Sequence, residues 1–129
     1  MQPLTTLILA FALPVAAPAA DFAAFVRAVH QVESGGRVGA IIGDQNRALG
    51  PLQIHRAYWV DARQSGSYES VTNLAVATAT MRAYLTRYAP AALERENWIA
   101  CARVHNGGPR GGSKNATLAY SRRVISVMR

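Results

Sequence analysis

The sequence is poor in cysteine, with Cys101 as its one example in 129 residues. A lone cysteine excludes an internal disulfide and any metal site built from several thiolates. The three histidines, His30, His55 and His105, are scattered, and none has a second ligand at metal-binding spacing. We therefore predict no metal and no other cofactor. Because apolar residues surround Cys101 in the sequence, we predict that it lies in the core rather than acting as a reactive thiol.

Acidic residues are also scarce, with seven Asp and Glu against fourteen Lys and Arg, which gives a formal net charge of +7. A field of this sign attracts polyanions generally, and by itself it does not separate nucleic acid from an anionic cell wall or membrane surface. The chain also lacks a phosphate-binding loop, internal repeats and an apolar run long enough to span a bilayer. For an exported protein we predict a cell-wall partner, without nucleic acid and without stable membrane insertion.

The first twenty residues have the pattern of an export signal. The apolar run Leu7 to Leu13 precedes a segment rich in small residues, in which Ala17-Pro18-Ala19 suits a small-x-small cleavage site. The first six residues contain no Lys or Arg, which is unusual for a signal, but Pro14 argues against a retained anchor or a buried helix. We predict a signal peptide over residues 1–20, one domain over residues 21–129, and a secreted or periplasmic location.

Apolar residues at helical spacing predict five helices after the signal. They cover residues 22–33, 52–63, 71–88, 97–104 and 116–127, and Asp21 is the expected N-cap of the first. Between Arg37 and Gly50 the pattern is short and interrupted by glycines, with Val38 and Ile41-Ile42 as the only strand-like residues, which predicts a small β-hairpin or an irregular loop. The predicted fold class is mainly α (α+β).

Two carboxylates, Glu33 and Asp44, stand on either side of this loop, eleven residues apart. Glu33 falls in the last turn of the first helix, where unpaired carbonyls disfavour a second anion, as suits a general acid. Asp44 lies in the turn Gly43-Asp44-Gln45-Asn46, where an Asp most often bonds its own backbone. The pair suggests bond cleavage by two carboxylates. The residues alone also allow a solvated helix-end Glu33 and a purely turn-forming Asp44.

A set of ordered motifs resembles the invertebrate-type (i-type) lysozymes. The motifs are Glu33-Ser34-Gly35-Gly36, Gly43-Asp44, Gly50-Pro51-Leu52-Gln53-Ile54, Ala57-Tyr58-Trp59, Asp61-Ala62, Arg82-Ala83-Tyr84, Arg87-Tyr88 and the run Ala102-Arg103-Val104-His105-Asn106-Gly107-Gly108-Pro109-Arg110-Gly111. Each is weak alone, but the ordered set is specific and covers nearly all of the chain after residue 20. The chain resembles a cysteine-poor bacterial relative, because Gly36, Leu49, Ala62 and Gly112 stand where the family tends to have Cys. The protease and heat resistance that disulfides supply is therefore not expected here.

The resemblance implies a lysozyme-like fold with a small β-hairpin beside the active-site cleft. It also implies an enzyme that hydrolyses the β-1,4 bond between N-acetylmuramic acid and N-acetylglucosamine in the glycan strands of peptidoglycan. Such an enzyme would be bacteriolytic and antimicrobial. By position, Glu33 would be the general acid and Asp44 the nucleophile or charge stabiliser. The eleven-residue spacing permits either the retaining or the inverting geometry. The expected substrate-binding residues are Gln53, His55, Tyr58, Trp59, His105 and Asn106, although packing is the default role for at least one of the aromatic pair. A lysozyme-inhibitor protein is a further candidate partner, to which no residue of the sequence points.

Three alternatives stay open at this point. A lytic transglycosylase would use Glu33 alone as acid and then base, and Asp44 argues moderately against it. Some i-type members are credited with isopeptidase activity through a serine and a lysine, but this chain has Arg47-Ala48-Leu49 and His55 in those neighbourhoods, and its one lysine is Lys114. The third alternative is a non-catalytic cationic protein that binds walls or disrupts membranes, which would need neither acid.

Overall fold

A computed structural model of the protein describes residues 21–128, so the predicted signal peptide lies outside the described residues. The described part contains six α-helices and three short strands. The helices are α1 (Phe22–Ser34), α2 (Arg56–Ala62), α3 (Leu74–Tyr88), α4 (Pro90–Glu94), α5 (Trp98–Gly107) and α6 (Ala116–Val127); the strands are β1 (Ile42–Gly43), β2 (Ala48–Leu49) and β3 (Ile54–His55). Two 3₁₀ turns, Tyr68–Thr72 and Gly111–Ser113, complete the elements. This mainly α architecture with a small antiparallel sheet is the predicted fold class.

The core is built from the apolar faces of α1, α3, α5 and α6. Phe25, Leu85 and Val124 are fully buried there, and the Phe25 ring stacks on Trp98 with the centroids 5.0 Å apart. Cys101 is also fully buried, which confirms the predicted core position. Burial in this apolar setting raises the pKa of the Cys101 thiol to about 11, so the reactive thiolate is scarce at neutral pH.

The small sheet is antiparallel, in the order β1-β2-β3. Leu49 pairs with Ile42 on one side and with Ile54 on the other. Gly50, at the turn after β2, has a φ of +83°, and a Cβ there would lie 2.2 Å from the carbonyl oxygen of Val71. The sheet therefore sits directly against the 3₁₀ turn Tyr68–Thr72, and only glycine allows this approach.

Two helix starts differ from the predictions. The predicted helix 52–63 begins only at Arg56, because Gln53 has a φ of +51° and Ile54 pairs with Leu49 as β3. The predicted helix 71–88 begins at Leu74, since the Asn73 side chain accepts a hydrogen bond from the Val76 amide and caps the helix there. In both cases the apolar pattern begins before the helix, because residues upstream of the helix are also buried but adopt another conformation.

Two further differences concern α5 and α4. The predicted helix 97–104 continues to Gly107 and is capped by Gly108, so that His105 and Asn106 belong to the helix. The structure also contains one helix that was not predicted, α4, which begins at Pro90, where the missing amide proton costs nothing. The predictions for the first and last helices are confirmed, the first with Asp21 as its cap and one residue longer than predicted. None of the helices within residues 21–128 is long and apolar enough to cross a membrane.

Two glycines with similar backbone angles provide a test of the close packing at Gly50. Gly66 has a φ of +90° but open space around the position of a Cβ. We expect Gly66→Ala to cost about 1–2 kcal/mol through its φ alone, and Gly50→Ala to cost about 1–3 kcal/mol more because backbone must shift. Urea unfolding of both variants measures the difference. Equal losses would contradict the contact between Gly50 and Val71.

Candidate active site

A cleft of about 540 Å³ lies between the sheet and the helices. It is lined by Glu33, Asp44, Ala48, Gln53, His55, Ala57, Tyr58, Tyr84, His105, Asn106 and Gly108. The structure thus brings together both candidate carboxylates and five of the six candidate substrate-binding residues. Trp59 is not part of this lining, because its half-buried ring packs against the core near Tyr68. Tyr84 and Gly108 were not among the predicted site residues, although both lie within the motifs that carry the family resemblance.

The first carboxylate, Glu33, lies in the last turn of α1 and is largely shielded from solvent, with 19% of its side chain exposed. The Tyr120 hydroxyl, from α6, donates a hydrogen bond of 2.6 Å to Glu33 Oε1. His105 Nε2, from α5, lies 3.5 Å from the same oxygen. Glu33 therefore meets two side chains from two other helices at the wall of the cleft.

Behind His105 lies a second buried contact. The hydroxyl of Tyr58 is 2.9 Å from His105 Nδ1, and the Tyr58 ring stacks on Tyr84 with the centroids 3.6 Å apart. Burial raises the pKa of Tyr58 well above its ordinary value, with smaller contributions from Tyr84 and Glu33, so its hydroxyl keeps its proton. A Tyr58 hydroxyl that donates to Nδ1 leaves the ring proton of His105 on Nε2, facing Glu33.

The position of Glu33 is set by the residues that follow it. Gly35 ends α1 in the left-handed conformation at φ +65°, which few other residues adopt without cost. The buried hydroxyl of Ser34 lies 2.8 Å from the carbonyl oxygen of Pro51. The motif around Glu33 is thereby attached to the glycine-proline segment that leads into β3, and both help to form the cleft.

The second carboxylate, Asp44, is the first residue of the turn between β1 and β2. Asp44, Gln45 and Asn46 all have positive φ, from 46° to 68°, a conformation that Asp and Asn tolerate better than most residues. Asp44 Oδ1 lies 3.0 Å from an Arg47 nitrogen, and Oδ2 lies 3.0 Å from His55 Nε2. The Asp44 side chain is 44% exposed, so its surroundings are far wetter than those of Glu33.

Gln53 has a visible structural role in addition to lining the cleft. Its Nε2 donates to the carbonyl oxygens of Ile41 and Gly50, at 3.1 and 3.0 Å. Its side chain also fills the space above Gly43, where a Cβ would lie 1.9 Å from Gln53 Oε1. Gln53 therefore holds the base of the hairpin whose turn carries Asp44.

The groups that meet in the cleft are suited to acid–base chemistry. A shielded carboxylate with a hydroxyl donor lies in the same cleft as an exposed carboxylate with two nitrogen partners. Unequal surroundings of this kind are what separates the roles of two carboxyl groups. Within residues 21–128, no group of three or more His, Cys, Asp or Glu side chains is arranged to hold a metal ion.

The helical domain with a small sheet beside the cleft matches the fold of solved lysozymes, which places the chain in the lysozyme-like class of proteins. The family model described as Destabilase matches residues 25–127 of the chain. The chain therefore belongs to the Destabilase family, that of the i-type lysozymes, as its motifs predicted.

Two of the relatives of this chain are molluscan lysozymes. Lysozyme 1 of Crassostrea virginica is 36% identical over 102 residues, which are 77% of this chain and 55% of that protein, so this chain spans about half the length of that relative. The lysozyme of Magallana gigas is 36% identical over 104 residues, 78% of this chain and 76% of that protein. The crystal structure of Aeromonas hydrophila PliI in complex with Meretrix lusoria lysozyme matches with a TM-score of 0.70 and 31% identity, covering 85% of this chain and 93% of that chain.

The buried hydrogen bond of Tyr58 and the exposed ion pair of Arg47 should differ in their effect on stability. Tyr58→Phe removes a buried hydroxyl and leaves a His105 nitrogen without its partner, so we expect a loss of about 1–3 kcal/mol. Arg47→Ala removes an ion pair between side chains that are 63% and 44% exposed, so we expect a loss of at most about 1 kcal/mol. Urea unfolding at neutral pH measures both. A larger loss in Arg47→Ala than in Tyr58→Phe would contradict the described geometry.

Proposed function

We propose that the protein is a lysozyme that hydrolyses the β-1,4 bond between N-acetylmuramic acid and N-acetylglucosamine in peptidoglycan. In this proposal Glu33 is the general acid and Asp44 is the nucleophile or charge stabiliser. The single observation that carries it is the presence of these two carboxylates, in unequal surroundings, in one cleft of a chain that belongs to the i-type lysozyme family.

The surroundings of Glu33 support its role as the acid. A general acid must hold a proton near the leaving oxygen and must be accessible from the cleft. Glu33 lines the cleft, and most of its side chain is shielded from water, a setting that suits this role.

The surroundings of Asp44 support a role as an ionised partner. Its two oxygens are each 3.0 Å from a nitrogen, one of Arg47 and one of His55, and such contacts suit a carboxylate. An ionised group in this cleft can stabilise or attack the oxocarbenium-like centre that forms when the glycosidic bond breaks. The exposed turn also leaves room for water in the second half of the reaction.

The substrate and location follow from the same proposal. Five other residues of the cleft are proposed to contact the glycan, namely Gln53, His55, Tyr58, His105 and Asn106. The net charge of +7 favours an anionic wall. Export through the signal peptide at residues 1–20 would place the enzyme in the periplasm or outside the cell. Because the related Meretrix lusoria lysozyme forms a complex with PliI, we also propose an inhibitor of that kind as a partner.

A second candidate, a lytic transglycosylase, is favoured by one observation. Both oxygens of Asp44 already have partners, and the backbone of Asp44 is part of a tight turn, so its role there is compatible with structure alone. Glu33 would then act first as acid and afterwards as base, and the product would carry a 1,6-anhydro ring. The products therefore distinguish the two candidates.

The role of Glu33 is tested by Glu33→Gln, which keeps the side-chain shape but cannot supply the proton. We expect the release of muropeptides from purified peptidoglycan, followed by mass spectrometry, to fall by about two to four orders of magnitude. Glu94→Gln, which makes the same charge change at an exposed position of α4, serves as the control and should release muropeptides at the wild-type rate. Binding to the wall should survive in both variants. Full release by Glu33→Gln would overturn the glycosidase proposal, and no release by the wild type would leave a wall-binding protein.

The role of Asp44 is tested by Asp44→Asn, with Asp21→Asn as a control that retains a good helix cap. We expect Asp44→Asn to lower the rate by at least about a hundredfold, because a charge that stabilises the transition state is removed. The wild-type products should have reducing ends. An unchanged rate together with 1,6-anhydro products would replace the hydrolase by the transglycosylase.

A further inference from the structure

Tyr120 is the closest partner of Glu33 and lies outside the cleft. It belongs to α6, its side chain is buried with 4% exposed, and it is absent from the residues that line the cleft. Its hydroxyl is 2.6 Å from Glu33 Oε1, across 87 positions of sequence. That separation is typical of a hydroxyl that donates to a carboxylate and is shorter than most bonds between neutral groups.

Tyr120 is a donor in this contact over the whole neutral range. Burial raises the pKa of Tyr120 well above its ordinary value, and the charge of Glu33 raises it further. The guanidinium of Arg123, 5.9 Å from the centre of the Tyr120 ring, has a smaller opposite effect. The phenol therefore keeps its proton and directs it to Glu33.

The two contacts of Glu33 fall on one oxygen. Tyr120 and the more distant His105 Nε2 both face Oε1, at 2.6 and 3.5 Å. An oxygen that accepts a hydrogen bond from a hydroxyl is a poor place for a further proton. The proton of a neutral Glu33 is accordingly better placed on Oε2.

We propose that Tyr120 is a positioning residue for the reaction of Glu33, an inference that rests on the proposed glycosidase function. By donating to Oε1 it makes Oε2 the oxygen that carries and delivers the proton. When that proton passes to the glycosidic oxygen, the bond between this oxygen and the anomeric carbon breaks with its electron pair on the oxygen. Glu33 is left as a carboxylate, and the Tyr120 hydroxyl stabilises it.

The other charged or titratable groups near Glu33 act from different directions. His105 faces it from α5 at the longer distance, Tyr58 of α2 stands behind His105, and Asp44 lines the same cleft from the hairpin turn. None of them makes a contact with Glu33 as short as the one from Tyr120. The effect of removing the Tyr120 hydroxyl should thus be separable from theirs.

Tyr120→Phe tests the proposal, because it removes the hydroxyl and keeps the ring. On soluble glycan strands we expect kcat to fall about tenfold to a hundredfold, since a hydrogen bond to a charged group is lost from the transition state. KM should stay within about twofold, because Tyr120 does not reach the cleft. The alkaline limb of the kcat–pH profile should move up by about one to two pH units, because the carboxylate form of Glu33 loses its donor. A merely structural role would lower kcat without moving that limb.

A second measurement does not depend on activity. The ¹³C NMR signal of the Glu33 carboxyl, assigned by its disappearance in Glu33→Gln, is titrated in the wild type and in Tyr120→Phe. We expect the midpoint to lie about one to two pH units higher in Tyr120→Phe. An unmoved midpoint would overturn the role of Tyr120 whatever the enzyme releases. A moved midpoint in a protein that releases no muropeptides would instead overturn the proposed function.

Ser121→Ala is the matched control for both measurements. Ser121 is the next residue of α6, is also buried, and donates its hydroxyl proton to the carbonyl oxygen of Leu118 within the same helix. We expect its kcat, its alkaline limb and its Glu33 midpoint to match those of the wild type. If Ser121→Ala moved the limb as Tyr120→Phe does, the effect would belong to the packing of α6, and the proposal would fail.

Discussion

The cleft depends on the buried hydrogen bond between Ser34 and the carbonyl oxygen of Pro51. Ser34 immediately follows Glu33, and Pro51 belongs to the turn between β2 and β3, so this contact of 2.8 Å joins the first helix to the sheet. Gly35 allows the chain to leave the helix here, and Gly50 allows the sheet to approach the 3₁₀ turn behind it. These contacts help to fix the helix end that carries Glu33 relative to the hairpin that carries Asp44.

The two carboxylates receive their different surroundings from different kinds of structure. Glu33 is shielded because α5 and α6 pack against the end of α1 and bring His105 and Tyr120 to it. Asp44 is exposed because it lies in a turn of a sheet whose strands have two residues each, with no further layer covering it. A small sheet against a larger helical body is thus sufficient to produce the asymmetry, with no need for a second domain.

Local patterns could predict much of this arrangement, because capping and hydrophobic spacing are local effects. The cap Asp21 and the apolar face of α6 are examples, and the predicted starts of α1 and α6 were correct. The start of α2 could not be predicted, since Leu52 and Ile54 continue the apolar pattern upstream of it, whereas Gln53 has a positive φ and Ile54 pairs with Leu49 of β2. Tyr120 could not be recognised either. Its position in the sequence indicates only a buried helix face, and its contact with Glu33 arises when distant helices pack.

The lack of disulfides is consistent with this organisation. Leu49 and Ala62 stand where the resemblance places cysteines in the family, and the structure packs Leu49 against the core and buries Ala62 within it. A disulfide acts mainly on the unfolded chain, whereas apolar contacts stabilise the folded one. At Leu49 and Ala62, apolar packing stands in place of a disulfide, so the cleft depends on non-covalent contacts of both the helices and the sheet. Contacts such as those of Ser34 and Tyr120 then have to hold the carboxylates in place without covalent support.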